Sequence, residues 1–332
     1  MAAKVSIEQL ANLEIQKQIF SFTPHSFPMT KNLLPAIASL LLLASCQKDP
    51  SPAGTSDAKL IFKFQFDSTQ ARLTNTGELS SLPEGHAGQN PVFNKMGAHY
   101  IELTPTKWTA LGAGAVLYRA AETTVGGGNA IDFEKAAAAG NGEIFYSLPL
   151  KDITPGEYEW LRVSLAYQNF DVKYYIDTLI NGITIKQQFP GTVAGFIGFN
   201  TYIKNLTIKN KGITVNANKK QGFWAFETEI SVAGTKIPYI TSGQAPEGST
   251  TVVNPLFATS PIPQGSCVVT AAFGPNKLKI TGTETKDIVV RVSLSTKNSF
   301  EWKEIRADGL WEPGKGEQVI DMGIRGMLTT IQ

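Results

Sequence analysis

Beyond residue 45 the chain holds two histidines, His86 and His99, and one thiol besides Cys46, that of Cys267. Two imidazoles, joined by a carboxylate, are a donor set for copper or zinc if the fold brings them together. His86 and His99 are therefore the candidate metal ligands, with copper the metal to consider. No H-x-H, H-x-x-x-H or C-x-x-C spacing supports them, and no G-x-S-x-G supplies a nucleophile for either to activate. His86 follows Pro83-Glu84-Gly85 in a loop and His99 opens a strand-like run, so each taken alone reads as a surface histidine. Glu157 and Glu159 would share one strand face about 7 Å apart, a carboxylate pair in principle suited to a glycoside. An acidic outer face over Tyr158 and Trp160 explains them better. Glu304–Lys315 superficially has the length of a calcium loop, but Arg306 and Lys315 stand where ligands are needed. A turn at Asp308-Gly309 is expected there, and a looser site drawing on Asp308, Glu312, Glu317 or Asp321 stays open.

The glycine clusters give no phosphate site. Gly112-Ala113-Gly114 has Leu117 where a third glycine would fall, and no Lys-Ser/Thr follows Gly126-Gly127-Gly128. Both read as turns. Cys267 precedes Val268-Val269 and reads as a small hydrophobe in a strand. No catalytic constellation emerges, so no enzyme activity is expected. The five tryptophans remain, because an indole can stack on a sugar or fill a partner's pocket. Trp160 and Trp224 lie in strand-like runs, and because most tryptophans of a sandwich are core, these two and Trp302 are expected there. Trp108 and Trp311, flanked by polar residues, Gly or Pro, are the candidate exposed ligand-binding residues.

The elements that must position these residues are strands. Leu60, Phe62, Phe64 and Phe66 alternate with Lys63, Gln65 and Asp67, the period of a half-buried strand. Similar runs recur at 99–104, 157–166, 172–176, 183–189, 202–208, 222–230, 277–281 and 288–295. Turn residues punctuate them, including Asn181-Gly182, Lys211-Gly212 and Pro275-Asn276. The one helix-like stretch is 133–139. This pattern predicts an all-β chain, an antiparallel β-sandwich or two packed β units. Residues 58–332 form its body, with a candidate subdivision at the Pro/Gly/Ser/Thr-rich stretch 244–265. Across 332 residues, 42% are hydrophobic and 17% charged, which supports a sizeable core rather than a disordered chain. The net charge of +2 gives no reason to expect a nucleic-acid partner.

The N-terminal region carries an address. Lys31 is followed by an apolar run from Leu33 to Leu43 and then Ala44-Ser45-Cys46, the layout of a secretory signal. The run is too short to span a bilayer, which takes roughly 20 residues. Leu43-Ala44-Ser45-Cys46 resembles the bacterial lipobox. The resemblance implies cleavage before Cys46, acylation of that residue, and anchoring in a lipid bilayer through its acyl chains. Residues 29–45 are then the signal peptide, 46–57 a flexible tether, and 1–28 an extension upstream of the true start at Met29. Removing residues 1–45 would leave 27 basic and 26 acidic residues. Gln47-Lys48-Asp49 resembles the charged sorting signals of surface-exposed lipoproteins of Bacteroidetes.

Four segments in the body carry a further resemblance: Ser164–Asn169, Gly198–Ile203, Asn298–Trp302 and Asp321–Gly326. They are similar to an uncharacterised family of Bacteroidetes lipoproteins, to which no activity is attached. The first half, with Tyr100-Ile101-Glu102-Leu103 and Pro155-Gly156-Glu157-Tyr158, is also loosely similar to MbnP-like copper proteins. Those rely on a Trp-x-Trp element. Here the nearest matches are Tyr158-x-Trp160 and Phe300-x-Trp302. The expectation is an outer-membrane lipoprotein on the periplasmic or cell-surface face. It would act without catalysis as a binding or accessory module for an envelope protein or glycan. A copper-handling protein and a fimbria-like structural subunit are the alternatives.

Overall fold

The structure, a computed structural model, describes residues 57–180, 183–232, 235–245 and 267–332. Cys46, the signal segment, the upstream extension, the turn pair Asn181-Gly182 and nearly all of 244–265 lie outside the described residues.

The described residues fold into twenty-one strands. The first ten are β1 (Lys59–Asp67), β2 (His86–Gln89), β3 (Val92–Thr104), β4 (Ala115–Arg119), β5 (Glu122–Thr123), β6 (Ala130–Asp132), β7 (Ala137–Ala139), β8 (Ile144–Pro149), β9 (Gly156–Tyr158) and β10 (Trp160–Ile180). The rest are β11 (Ile183–Phe196), β12 (Asn200–Thr207), β13 (Gly212–Lys220), β14 (Phe223–Val232), β15 (Thr235–Gln244), β16 (Cys267–Gly274), β17 (Leu278–Ile280), β18 (Ile288–Ser295), β19 (Phe300–Lys303), β20 (Val319–Asp321) and β21 (Met327–Ile331). The principal sheet runs β15-β14-β11-β10-β16-β21-β18-β1-β8, with β3 pairing β10 and carrying β4 and β7. A four-stranded sheet, β13-β12-β6-β5, lies over part of it, and β2-β19-β20 forms a third.

Most ladders are antiparallel, as the hairpin signals predict. Among the described residues three are parallel: β1 with β18, β16 with β21, and β12 with β6. The β1–β18 ladder, with Leu60 opposite Ile288 and Asp67 opposite Ser295, ties the start of the body to its end. Strands from both sides of 244–265 share one sheet, since β16 pairs β10 and β18 pairs β1. The alternation in β1 has its expected cause: Leu60, Phe62 and Phe64 are wholly buried, and Phe64 stacks on Phe145 at 3.7 Å between ring centroids.

Strand β10 organises the molecule. The runs 157–166 and 172–176 predict two strands, yet Trp160–Ile180 is one strand of 21 residues. The polar pair between the runs continues the ladder because distant carbonyls accept from its amides. Gln168 Nε2 donates to the Met322 carbonyl at 2.5 Å and Asn169 Nδ2 to that of Ile208 at 2.7 Å. One edge of β10 follows β3 along 160–171, and the other takes β16 along 160–165 and then β11 from Tyr167 onward. The two layers meet where Tyr167, Phe196 and Phe223 of the principal sheet pack on Ile203 and Leu206 of β12 and on Ile208.

The stretch 133–139 is corrected from a helix. Phe133–Lys135 is a single 3₁₀ turn, after which Ala137–Ala139 joins β3 as β7, with Ala138 opposite Gly97. Three small residues fit the narrow slot beside Gly97 better than a helical turn would.

Candidate functional site

Glu102 and Arg162 face each other across the β3–β10 ladder, and neither is solvent-exposed. The Arg162 Nη1 to Glu102 Oε2 distance is 3.6 Å. Both side chains also reach out of the sheet into the loop that joins β3 to β4. Glu102 Oε1 accepts the backbone N–H groups of Gly112 at 3.0 Å and Gly114 at 2.7 Å, while Arg162 Nη2 donates to the Lys107 carbonyl at 2.7 Å. Glycine is required at 114, where a Cβ would lie 2.3 Å from the Leu103 carbonyl oxygen. Gly112 adopts a φ of +85°, which L side chains avoid. Gly112-Ala113-Gly114 is therefore a cradle for an anion, and the anion is the protein's own carboxylate.

This ion pair is costly. Burial pushes the Glu102 carboxyl above its usual range, against the Gly114 N–H and the Arg162 charge, and pulls Arg162 below its own. Glu102 Oε2, Arg162 Nε, the Tyr100 hydroxyl and the Ser164 hydroxyl, grouped on this face, are buried without a hydrogen-bond partner. Burial also raises the Tyr100 phenol, with the Glu102 charge adding to it. Desolvated ion pairs are weak sources of stability. What this one does is hold both ends of an exposed loop.

At the tip of that loop stands Trp108, 58% exposed, as its polar neighbours predict. Lys107 Nζ lies 4.9 Å from the indole centroid and 2.7 Å from Glu78 Oε1. In the same turn the Thr106 and Thr109 hydroxyls meet at 2.9 Å, and Thr104 Oγ1 donates to the Thr106 carbonyl. The indole is thus an exposed aromatic surface on a loop fixed from below.

Trp311 requires correction. It packs against the core, edge-on to Phe300 at 4.7 Å and to Tyr174 at 6.3 Å. The Gly/Pro residues around it turn the chain inward rather than out, and the Trp311 carbonyl accepts the Tyr175 N–H at 2.7 Å.

The two histidines occupy different surroundings. His99 is fully buried inside β3 rather than at its start or on the surface. It is the extra residue of a bulge, since Tyr100 pairs with Ser164 and Ala98 with Leu165. Its Nε2 lies 3.1 Å from Glu122 Oε1, its ring packs beside Phe199, and its Nδ1 has no partner. Burial holds its pKa below the usual imidazole range, against the pull of Glu122. His86, on β2, meets a different carboxylate: its Nδ1 is 2.6 Å from Glu301 Oε1.

Glu301 centres a buried charge network, accepting from Arg72 at 2.8 Å and Arg325 at 3.1 Å, while Arg325 also pairs with Asp321. Burial raises the Glu301 carboxyl, but hydrogen bonds from His86 and Arg72 outweigh it and leave a lowered pKa. The network clamps the β19 ladder to the loop after β1, a structural task. Among the described residues no group of three or more His, Cys, Asp or Glu side chains is placed to hold a metal ion. Glu312 and Glu317 are adjacent, but Glu317 is spent on the Glu312 and Ile305 N–H groups and Glu312 faces Arg306. Asp308 caps the predicted turn by accepting the Leu310 N–H. Glu159 falls in the break between β9 and β10 and pairs with Lys277, so Glu157 and Glu159 do not share one continuous strand. Cys267 is buried, and burial pushes its thiol up to about 12.

Glu102, Arg162, Arg72 and Glu301 were not singled out from sequence. A signal existed for the first two, because each interrupts an apolar strand run (Ile101-Glu102-Leu103, Leu161-Arg162-Val163). Comparisons with protein-family models, curated proteins and solved structures find no match to this chain. Among the described residues no helix is long and apolar enough to cross a membrane.

Proposed function

We propose that the chain is a lipoprotein held at the outer membrane through acylated Cys46, and that it works without catalysis as a binding module whose ligand surface is the Trp108 loop. The observation that carries this reading is the Glu102–Arg162 clamp. A buried ion pair spends its hydrogen bonds on Gly112, Gly114 and Lys107, the backbone of the one loop that presents a largely exposed indole. Fixing a loop in its binding conformation removes ordering cost at the moment of association. An indole held this way suits the C–H face of a sugar ring, and the hydroxyls of Thr106 and Thr109 border it. The ligand proposed is a cell-envelope glycan.

The lipobox-like segment ending in Cys46 and the polar tether after it support the address. The test is a glycan array probed with the full chain in detergent, beside a Trp108→Ala variant. Binding of at least one envelope glycan that disappears in the variant is the expected result. Silence across the array, or binding indifferent to Trp108, overturns the reading.

A further inference from the structure

The hairpin of β12 and β13 presents a second surface that the Trp108 loop does not use. Residues 200–220 contain five lysines and no Asp or Glu, in a chain whose net charge is only +2. The inner side of this hairpin, including Ile203, Leu206, Ile213 and Val215, is packed on the principal sheet. Its outer side is polar; the 126–129 turn covers Asn200 and Asn218, whose side-chain amides donate to the Asn129 and Gly128 carbonyls at 2.9 Å, while Lys204, Lys211 and Lys220 stay exposed around it.

The acidic groups nearby are already engaged. Asp171 pairs with Lys209 at 3.0 Å, and Asp132, opposite Tyr202 on β6, pairs with Lys135 at 2.8 Å. Glu227 accepts the backbone N–H groups of Lys209, Asn210 and Lys211 at 2.8 to 3.0 Å. Glu134 on the adjoining 3₁₀ turn sits beside Lys135. Lys204, Lys211 and Lys220 are exposed and have no ion-pair partner among the described residues. Lys220 is opposite Asn200. Lys204 therefore lies four residues further along β12, about 13 Å away at the usual strand rise.

Between these cations the polar side chains are held in place. The Tyr202 hydroxyl donates to Asn216 Oδ1 at 2.8 Å, and Thr214 Oγ1 donates to Asn205 Oδ1 at 3.1 Å. Asn216 has a φ of +47° and lies at a bulge, where β13 spends three residues against two on β12. A linear row of separated cations with fixed amides and hydroxyls between them is complementary to a chain that carries both anions and hydroxyls. A lipid surface fits less well, because none of the large exposed hydrophobic residues falls within 200–220 and insertion needs an apolar face. Single-stranded nucleic acid would want several stacking aromatics, and Tyr202 is the one aromatic in this segment.

We infer that the outer face of the β12–β13 hairpin binds a linear acidic polysaccharide, with Lys204, Lys211 and Lys220 meeting its carboxylates or phosphates. This site is independent of the Trp108 loop and stands whether or not that loop binds sugar.

The test uses the full chain in detergent on immobilised polygalacturonate, with neutral dextran and single-stranded DNA as parallel matrices. Wild type is expected to be retained by polygalacturonate and not by dextran, with retention falling as salt rises. Lys204→Gln/Lys220→Gln should weaken binding at least tenfold with an unchanged thermal midpoint. A control pair elsewhere, Lys236→Gln/Lys277→Gln, should stay within twofold of wild type. Trp108→Ala should retain polygalacturonate normally, which separates this site from the loop. No retention, retention only by DNA, or equal losses in the two lysine pairs would overturn the inference.

Discussion

Removing the Arg162 guanidinium tests the clamp at its weakest point. In Arg162→Met the Glu102 carboxylate stays wholly buried, keeps only the Gly112 and Gly114 N–H groups, and loses its counter-charge. Breaking a buried pair by deleting one partner costs about 3–5 kcal/mol. With a urea m-value of about 3 kcal/mol per molar, near the top of the usual range, the midpoint should fall by roughly 1–1.7 M. The double variant Glu102→Leu/Arg162→Met should recover much of that loss, because an apolar pair of similar volume often matches a buried ion pair in stability. It should not recover the loop. Its Gly112 and Gly114 amides lose their acceptor, so their hydrogen exchange should rise even where the global midpoint is restored. Urea unfolding followed by tryptophan fluorescence, combined with amide exchange, reads both effects. A midpoint shift below about 0.3 M in Arg162→Met, equivalent to under about 1 kcal/mol, would refute the burial argument. Unchanged Gly112 and Gly114 exchange in the double variant would refute the clamp.

Other outcomes follow from the same geometry. His99 is held neutral by burial, so the unfolded state takes up a proton that the folded state resists. Its contribution should be complete above about pH 6.5 and shrink as pH falls from there toward the depressed folded-state value, and His99→Gln should flatten that slope in thermal melts between pH 7.5 and 5. Gly114→Ala drives a Cβ into the Leu103 carbonyl and should cost about 1–3 kcal/mol in denaturant unfolding. Phe62→Ala, in the fully buried row of β1, should cost about 3–5 kcal/mol by the same measurement. Cys267 should resist iodoacetamide at pH 8 in the folded protein and react on unfolding, because its thiol is buried and pushed up to about 12.

Local alternation made much of the all-β body legible. Ile288–Ser295 coincides with β18, and the run at residue 60 lies inside β1. What stayed hidden depended on partners far along the chain. Gln168 and Asn169 separate two apolar runs, and their place inside one strand shows only when the Met322 carbonyl, 154 residues away, and the Ile208 carbonyl, 39 away, accept from them. The parallel β1–β18 ladder joins residues more than two hundred positions apart, and nothing in either strand specifies the direction of pairing. Of the candidate site residues, the exposure of Trp108 was legible because its polar neighbours left nothing to bury it. Trp311 was not, since edge contacts with Phe300 and Tyr174 come from other strands. His99 followed the same logic: a bulge, invisible to a period-two pattern, turned it into the interior. The Glu102–Arg162 pair was readable only as a charge within an apolar run, a pattern equally suited to an edge strand.

The most direct test of the binding-module account is a side-by-side titration of the full chain and its Trp108→Ala variant with the strongest sugar found on the array, followed by calorimetry. The account predicts saturable binding by the wild type and at least a tenfold weaker affinity in the variant, about 1.4 kcal/mol. Equal affinities would contradict it.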